Sequence, residues 1–437
     1  MGNTTAGIGP GTRGITATLA ILCLALVSAA CSGAGSASTH AASPGTSGAP
    51  TSSGATPSLS ASAAAPGRFV PTGSMSVGRD RHTATLLADG RVLIAGGLAG
   101  ADASQPLSSA ELYNPWTGKF AATGSMSIPR SHHTATLLQD GRVLLAGGYD
   151  AGDFTGTGEA PGPSGSPAST PGLPDPRRIG ELYDPATGTF SRTGSMAVDR
   201  YGDTATLLKD GRVLIVGGES LKSGIVASAE LFDPKTNLFT TTGSLSTSRT
   251  GHTATLLPNG RVLIAGGYSA TGFTLASAEL YDPTTGRFSL TGSMSVVRMN
   301  HTATLLKDGR VLIAGGFHNG DPQGTYSSAE LYDPVTGTFG PTGSMSVTRA
   351  GHMATLLNDG QVLLTGSATA GSDGTGKSQI MAELYDPTTG TFSPTSGMDD
   401  AYDTATGLSD GRVLLTGGSF ADASGTTCLA TADLYQP

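Results

Sequence analysis

Arginine recurs at one fixed position of this chain, three residues before a histidine or an aspartate. Guanidinium groups arranged around one opening would suit the carboxylate or sulfate groups of a ligand, because each can donate two parallel hydrogen bonds to such an anion. The six arginines are therefore candidate ligand-binding residues. They are Arg79, Arg130, Arg200, Arg249, Arg298 and Arg349.

An acidic residue recurs as regularly and offers each arginine a partner inside the protein. Strands two positions apart in a sheet are separated by about 9.6 Å, a distance that a long arginine side chain can largely span. The near one-to-one match favours repeated salt bridges over an open basic collar. The acidic residues are Glu111, Glu181, Glu230, Glu279, Glu330, Glu383 and Asp433.

The histidine or aspartate three positions after each arginine is of a type that can bind a metal ion, but the spacing of these residues in the fold argues against a metal site. Zinc needs ligands at about 2.0–2.2 Å, and equivalent positions on separate repeats would encircle a channel without converging. We expect these side chains to form hydrogen bonds within their own repeat, and we predict no metal site or other cofactor. The residues are His82, His133, Asp203, His252, His301, His352 and Asp403.

The seventh repeat departs from the others. Asp400 replaces the arginine, Asp403 replaces the histidine, and the unpaired Cys428 lies in its variable loop. If one sector is specialised for ligand binding or chemistry, the sequence indicates this one.

These residues belong to seven copies of one unit, spaced mostly 49 or 51 residues apart. In the fourth copy, four strands are predicted at His252–Leu257, Arg261–Ala265, Ala278–Tyr281 and Arg287–Met294. The second strand is apolar at consecutive positions, so both of its faces must be buried. Four antiparallel strands per unit, covered on both faces by neighbouring units, predict an all-β fold, a seven-bladed β-propeller of four-stranded blades.

The two ends of the repeat region complement each other. Residues 68–75 form a fourth strand without the three that should precede it, and residues 432–437 form a third strand without a fourth. Pairing them would close the ring and leave no free sheet edge. We therefore predict a propeller over residues 68–437, in which the N-terminal strand completes the last blade.

Loops between second and third strands vary from copy to copy, and the antiparallel order places them on one face of the propeller. Such variation is how binding surfaces are made on rigid scaffolds, although tolerated drift is the alternative. Phe273, Phe317 and Tyr326 are the candidate contacts. The longest loop, residues 149–179, is rich in proline, glycine and serine and is predicted to be disordered.

The Gly-Gly pair after an apolar strand, followed by Glu-Leu-Tyr-Asp-Pro, resembles the kelch repeat over residues 68–437. Kelch units usually carry tryptophan where this chain has phenylalanine in the fourth strand. Some kelch propellers resemble galactose oxidase, a copper radical enzyme whose site needs a tyrosine followed directly by histidine. No tyrosine of this chain precedes a histidine, so the copper radical residues are not found and an enzyme is the minority interpretation.

Residues 1–30 resemble a bacterial lipoprotein signal peptide, with Cys31 as the lipidated residue and an apolar run too short to span a membrane. An ordinary secretion signal is the alternative. Residues 31–67 are nearly all Ser, Ala, Gly, Thr and Pro and predict a disordered tether. The chain would thus be exported and lipid-anchored to the outer side of a bacterial membrane, or secreted.

The composition limits the kinds of partner that this protein can bind. The net charge of −8 gives no basic patch for nucleic acid, and three cysteines allow no disulfide framework. We expect a monomeric, surface-exposed binding module for a glycan or a protein. The alternatives are a carbohydrate-active extracellular enzyme with its site on the variable-loop face, or a structural spacer without a ligand.

Replacing Cys31 tests the membrane anchor. If Cys31 is acylated, the chain expressed with its signal in a bacterial host should partition into detergent, and Cys31→Ser should release it into the aqueous phase. Cys428→Ser is the matched control and should leave partitioning unchanged. An aqueous wild-type chain without lipid, shown by mass spectrometry, would contradict the anchor.

Overall fold

The computed structural model describes seven segments of the chain, all within the compact unit Pro66–Pro437; a second unit comprises Met1–Ala65. Cys31, Asp400, the predicted tether up to residue 66 and residues 150–174 of the long loop lie outside the described residues. No helix in the described part is long and apolar enough to cross a membrane. The segments are 67–100, 103–149, 175–320, 324–366, 380–398, 402–422 and 425–437.

Seven four-stranded antiparallel sheets confirm the predicted all-β propeller. The first strand of each blade lies innermost, and each contacts the first strands of both neighbouring blades, with the seventh blade next to the first. Small Thr and Ala side chains suit these strands because they converge on the central axis. From blade one to blade seven they are Thr83–Leu86, Thr134–Leu137, Thr204–Leu207, Thr253–Leu256, Thr302–Leu305, Met353–Leu356 and Thr404–Gly407.

The second strands form the core of the blades. All their residues are buried, as the uninterrupted apolar sequence predicted, because neighbouring blades cover both faces of each sheet. Seven apolar clusters lie between successive blades. The second strands are Val92–Ala95, Val143–Ala146, Val213–Val216, Val262–Ala265, Val311–Ala314, Val362–Thr365 and Val413–Thr416.

The third and fourth strands complete each blade toward its outer edge. In every blade an aromatic residue of the third strand contacts a phenylalanine of the fourth, with ring centroids 4.8–5.0 Å apart. The third strands are Ala110–Asn114, Ile179–Asp184, Ala229–Asp233, Ala278–Asp282, Ser328–Asp333, Ile380–Asp386 and Ala432–Gln436. The fourth strands are Lys119–Ala122, Thr189–Ser195, Leu238–Thr241, Arg287–Leu290, Thr338–Ser344, Thr391–Met398 and, for blade seven, Arg68–Pro71.

Among the residues that the structure describes, three short hairpins and one 3₁₀ turn lie in the connections between second and third strands. The hairpins pair Leu98–Ala99 with Gln105–Pro106 in blade one, Glu219–Ser220 with Gly224–Ile225 in blade three, and Ser419–Asp422 with Gly425–Cys428 in blade seven. The 3₁₀ turn is Pro176–Arg178. The variable loops are thus partly structured, which makes them a defined surface.

The ring closes as the sequence predicted. Arg68–Pro71 pairs antiparallel with Ala432–Gln436, placing Phe69 opposite Tyr435 in the register that the other blades use. The Phe69 and Tyr435 ring centroids lie 5.0 Å apart. The seventh blade therefore takes its outer strand from the other end of the propeller.

Phe69→Ala tests this closure by stability. Phe69 is half-buried against Tyr435, so its loss should lower the free energy of unfolding by about 1–3 kcal/mol. Phe288→Ala is the matched control, because Phe288 contacts Tyr281 in the same geometry within blade four. Thermal or urea unfolding should give similar losses for both variants. An unchanged Phe69→Ala protein beside a destabilised Phe288→Ala protein would contradict the closure.

Candidate functional site

The repeated arginines lie in the connection between the fourth strand of one blade and the first strand of the next, and their side chains are buried. Arg79 has no exposed surface, and its Nη2 donates to Glu111 Oε1 at 2.9 Å. Its Nη1 donates to the carbonyl oxygen of Gly96 at 2.8 Å. The same ion pair recurs in the next five blades. The pairs are Arg130–Glu181, Arg200–Glu230, Arg249–Glu279, Arg298–Glu330 and Arg349–Glu383, at 2.8–3.2 Å.

The salt-bridge interpretation of the arginines is therefore confirmed. The second carboxylate oxygen of Glu111 accepts a hydrogen bond from the backbone N–H of Ser76 at 2.9 Å, which links blade one to the strand that leaves blade seven. Additional hydrogen bonds from both partners support such a buried ion pair, although Arg79 Nε is buried without a hydrogen-bond partner. A guanidinium held in this way presents no surface to a ligand, and the basic collar gains no support from the geometry.

The repeated histidines form hydrogen bonds between blades, which corrects the expectation that they bond within their own blade. His133 Nε2 of blade two lies 3.0 Å from Thr83 Oγ1 of blade one. His252, His301 and His352 repeat this contact at 3.0 Å with the corresponding threonine of the preceding blade. The physical reason is the reach of imidazole, which extends sideways from one inner strand to the next.

Burial keeps these histidines neutral. Desolvation, followed by the nearby arginine charge, lowers the pKa of His252, His301 and His352 to about 3. A neutral imidazole can hold a fixed tautomer with Nε2 bonded to threonine. The histidines therefore serve as uncharged links around the ring.

The Gly-Gly pair supplies the space for this contact. A Cβ atom added at Gly96 would lie 2.8 Å from His133 Cε1 and 2.5 Å from the carbonyl oxygen of Arg130. The N–H of Gly97 donates to that same carbonyl at 2.9 Å. Both glycines have positive φ, so the pair serves backbone geometry and close approach between blades.

Asp203 breaks the histidine pattern in blade three and stays unsatisfied. It is only 7% exposed, and neither carboxylate oxygen has a hydrogen-bond partner. Thr134 is the threonine that a histidine at this position would bond. Its hydroxyl instead donates to the carbonyl oxygen of Ala146, on the neighbouring strand of the same blade, at 3.3 Å. Desolvation raises the pKa of Asp203 to about 7 despite the charge of Arg200. The blade two–three junction therefore contains a carboxyl group that burial favours in its protonated form.

Asp403, the replacement in blade seven, lies near the loop face. One of its oxygens is 3.6 Å from His82 Nδ1, and its side chain remains 27% exposed. Burial at the blade junction and the neighbouring Asp80 raise its pKa to about 7. Burial and Asp80 also raise the pKa of the Cys428 thiol to about 11, which favours the protonated thiol at neutral pH.

The predicted aromatic contacts lie on adjacent loops of blades four and five. Phe273 is 69% exposed, and Phe317 and Tyr326 are half-buried. The Tyr326 ring lies 5.5 Å from the guanidinium carbon of Arg298. The blade four loop contacts the blade five loop through the N–H of Asn319, which donates to Thr274 Oγ1 at 3.0 Å. The three aromatics thus lie on two loops that contact each other.

A second group of polar residues, missed by the sequence analysis, lies just before the first strands of blades one, two and five. Arg81, His132 and Asn300 each lie two residues after a repeated arginine, and each has a left-handed backbone with φ of 51–54°. Arg81 Nη1 and His132 Nε2 are 2.7 Å apart. The available sequence signal was variation at this position of the repeat, where three other blades have glycine.

Comparison with known proteins agrees with this architecture. A family model described as the kelch motif matches residues 81–127. The search of curated proteins found no match. The chain thus carries a kelch motif within a seven-bladed propeller, as the repeated sequence indicated.

A solved structure with the same fold is titled a novel fungal alcohol oxidase with catalytic diversity among the AA5 family, in complex with copper. The two chains align with a TM-score of 0.66 and 18% identity over 85% of this chain and 76% of the other. At that identity the likeness concerns the fold alone. Within the segments that the structure describes, no three His, Cys, Asp or Glu side chains are grouped so that they could hold a metal ion.

Asp203→Asn tests the unsatisfied carboxyl group. An unfolded aspartate titrates near 3.9, whereas folded Asp203 titrates near 7. The folded state therefore binds the extra proton between these values, and the free energy of unfolding falls as pH rises through that window. Asp203→Asn cannot ionise, so it should exceed wild type in stability by about 1–4 kcal/mol at pH 8 and match it near pH 4.

Asp199→Asn is the control for this experiment. Asp199 is equally buried but accepts hydrogen bonds from Ser220 Oγ at 2.9 Å and from the N–H of Leu221 at 3.0 Å. Its variant should be less stable than wild type at pH 8 because one acceptor becomes a donor. Urea unfolding across pH 4–8 measures both. A loss of stability in Asp203→Asn at pH 8 would refute the assignment.

Proposed function

We propose that this protein is a binding module that takes a glycan or a protein on the variable-loop face of its propeller. The observation that carries the proposal is the exposure of Phe273, 69% of which faces solvent on a loop of that face. Elsewhere in blade four, the aromatic ring of Phe288 packs against the ring of Tyr281. An aromatic side chain left outside the repeat's own contacts offers apolar area to a ligand.

The loop that presents Phe273 is held in place by its own hydrogen bonds. Ser269 N and Ser269 Oγ both donate to the carbonyl oxygen of Phe273, at 3.0 and 3.1 Å. Tyr268 bridges both Thr250 and Thr274. A loop ordered before binding loses little conformational entropy when a ligand arrives, which favours affinity. The geometry therefore supports a recognition role for Phe273.

The placement of this module at a cell surface is part of the proposal. Cys31 would anchor the chain to the outer side of a bacterial membrane, and residues 32–67 would hold the propeller away from the lipid. The composition of that segment and the apolar run before Cys31 support this arrangement. A monomer suffices for such a role.

A carbohydrate-active enzyme on the same face is the second candidate. Asp403 favours it, because a partly exposed carboxyl group with a pKa of about 7 is suited to donate a proton near neutral pH. Hydrolysis of a bound oligosaccharide that Asp403→Asn abolishes would establish this function. Binding of the oligosaccharide without hydrolysis would support the binding module instead of the enzyme.

Phe273→Ala tests the binding function. Glycan arrays and pull-downs from envelope extracts with the soluble propeller should identify a ligand, and the variant should weaken its binding at least about tenfold, because a central aromatic contact contributes 1.4 kcal/mol or more. Leu290→Ala is the matched control, since Leu290 is equally exposed, at 70%, but lies on the outer strand of the same blade. Equal affinities of both variants would rule out the loop site.

A further inference from the structure

Blade six lacks an ion pair that most blades have on the face opposite the variable loops. We call this the turn face, because it carries the turns between first and second strands. In five blades an aspartate of that turn pairs with the arginine two residues later at 2.6–2.7 Å, and the pairs are Asp89–Arg91, Asp140–Arg142, Asp210–Arg212, Asp308–Arg310 and Asp410–Arg412. Blade four keeps the arginine, Arg261, which pairs with Asp282 at 3.4 Å. Blade six keeps the aspartate, Asp359, but has Gln361 in place of the arginine.

The two oxygens of the turn aspartate have separate uses. In blade one, Asp89 Oδ1 accepts from the backbone N–H of Arg91 at 3.0 Å, and Asp89 Oδ2 accepts from Arg91 Nε at 2.9 Å. Asp359 Oδ1 accepts from the backbone N–H of Gln361 at 2.9 Å, so the turn is built in the same way. In the part of the chain that the structure describes, Asp359 is exposed and its Oδ2 has no partner. The oxygen that binds a guanidinium in other blades is therefore available to a ligand.

The arginine of this turn also bonds the next blade. Arg142 Nη2 donates to the carbonyl oxygen of Pro234, and Arg412 Nη2 donates to that of Pro115, both at 2.9 Å. The proline at the same repeat position after blade six is Pro437. Asp359 and Pro437 line one cavity of 440 Å³, within the range of about 300–1,000 Å³ that is common for ligand sites. We call it the turn-face cavity, and it lies between the two groups that bond a guanidinium at the equivalent junctions.

The charges of the lining favour a cation. Asp410 and Arg412 also line the turn-face cavity and neutralise each other as an ion pair at 2.6 Å. Arg68 binds another lining residue, since its Nε donates to Gln436 Oε1 at 3.2 Å. Asp359 is the remaining acidic residue of the lining. Its carboxylate would repel an anionic ligand and attract a cationic one.

An exposed tryptophan beside the cavity favours a polypeptide over a free cation. Arg412 lines the turn-face cavity and donates to the carbonyl oxygen of Pro115, and the next residue, Trp116, is 67% exposed. A polypeptide that places one side chain in the cavity can extend across the turn of blade seven and cover the Trp116 ring. Buried aromatic area of this kind contributes to affinity between proteins.

We propose that the turn-face cavity binds an arginine side chain of a partner polypeptide, whose guanidinium donates to Asp359 Oδ2 and to the carbonyl oxygen of Pro437. Five blades show this carboxylate bonded to a guanidinium of the chain itself. Arginine fits better than lysine, because its planar group donates in two directions that are fixed relative to each other. The site lies on the face opposite Phe273 and does not depend on the proposed loop-face function.

Gln361→Arg and Asp359→Asn test the proposal. Gln361→Arg supplies the missing guanidinium from the chain itself, so this variant should melt at or above the wild-type temperature and exclude the ligand. The probe is an acetylated Gly-Arg-Gly-Leu amide, titrated against the full chain in detergent by ligand-observed NMR. Both variants should bind it about tenfold more weakly or worse, because a hydrogen bond between charged groups is lost. Asp308→Asn is the matched control: Asp308 pairs with Arg310 in the equivalent turn of blade five, so its variant should bind like wild type.

Peptides of altered charge check the ligand class. The same peptide with citrulline, which has the shape of arginine without its charge, should bind about tenfold more weakly or worse, and salt should weaken binding of the arginine peptide. Equal affinities for arginine and citrulline, equal affinities for arginine and lysine, or no saturable binding by wild type would overturn the proposal. If Gln361→Arg does not fold, the comparison of Asp359→Asn with Asp308→Asn decides, and equal affinities refute the site. Phe273→Ala should leave arginine binding unchanged, so failure at either face is distinguishable from failure at the other.

Discussion

Contact between neighbouring blades is the constraint on which the rest of this structure depends. A four-stranded sheet with a second strand that is apolar on both faces cannot remain in water, and only another blade on each side can cover it. The backbones must then approach closely at the inner edge. At Gly96 a single added carbon would lie 2.5 Å from the carbonyl oxygen of Arg130. The glycine pair is thus a requirement of the blade interface.

The same constraint explains most of the repeated sequence. The Tyr281 hydroxyl of the third strand meets Thr242 Oγ1 of the preceding blade at 2.9 Å, and the N–H of Gly243 donates to the carbonyl oxygen of Gly286 at 2.9 Å. Equivalent bonds recur around the ring. Residues that look like parts of one blade's motif therefore serve the junction with the next blade, which is why the repeat is so uniform within this chain.

The junction between blades six and seven shows how the interface residues vary together. Met353 stands where other inner strands begin with threonine, and the following blade has Asp403 where a histidine would have bonded that threonine. Ser367 replaces the second glycine at the same junction, and Asp400 replaces the arginine. The histidine–threonine link is therefore lost at this junction, whereas the Tyr435 hydroxyl still lies 3.5 Å from Thr395 Oγ1. The blade two–three junction keeps Thr134 but has Asp203 in place of the histidine and Phe232 in place of the third-strand tyrosine.

The repeated residues serve the interface between blades, and the proposed binding surface uses positions that vary between blades. Arg79 and its equivalents are buried in ion pairs, and His252 and its equivalents are neutral links. Phe273 is different, because it lies in a loop whose sequence varies between blades and it remains exposed. Asymmetry within a symmetric ring is therefore the guide to the proposed binding surface.

The sequence by itself determined the blade number, the strand order, the closure through Arg68–Pro71 and the arginine–glutamate pairing. These follow from periodicity and from the alternation of turns and apolar runs, which are local in the chain. Only the tertiary structure decided that the histidines bond across blades, that Asp203 lacks a partner and that Arg81 and His132 have strained backbones. Those properties depend on distances between residues about one repeat apart in sequence. Such distances are set by how blades pack around the axis, and no pattern within a single repeat specifies them.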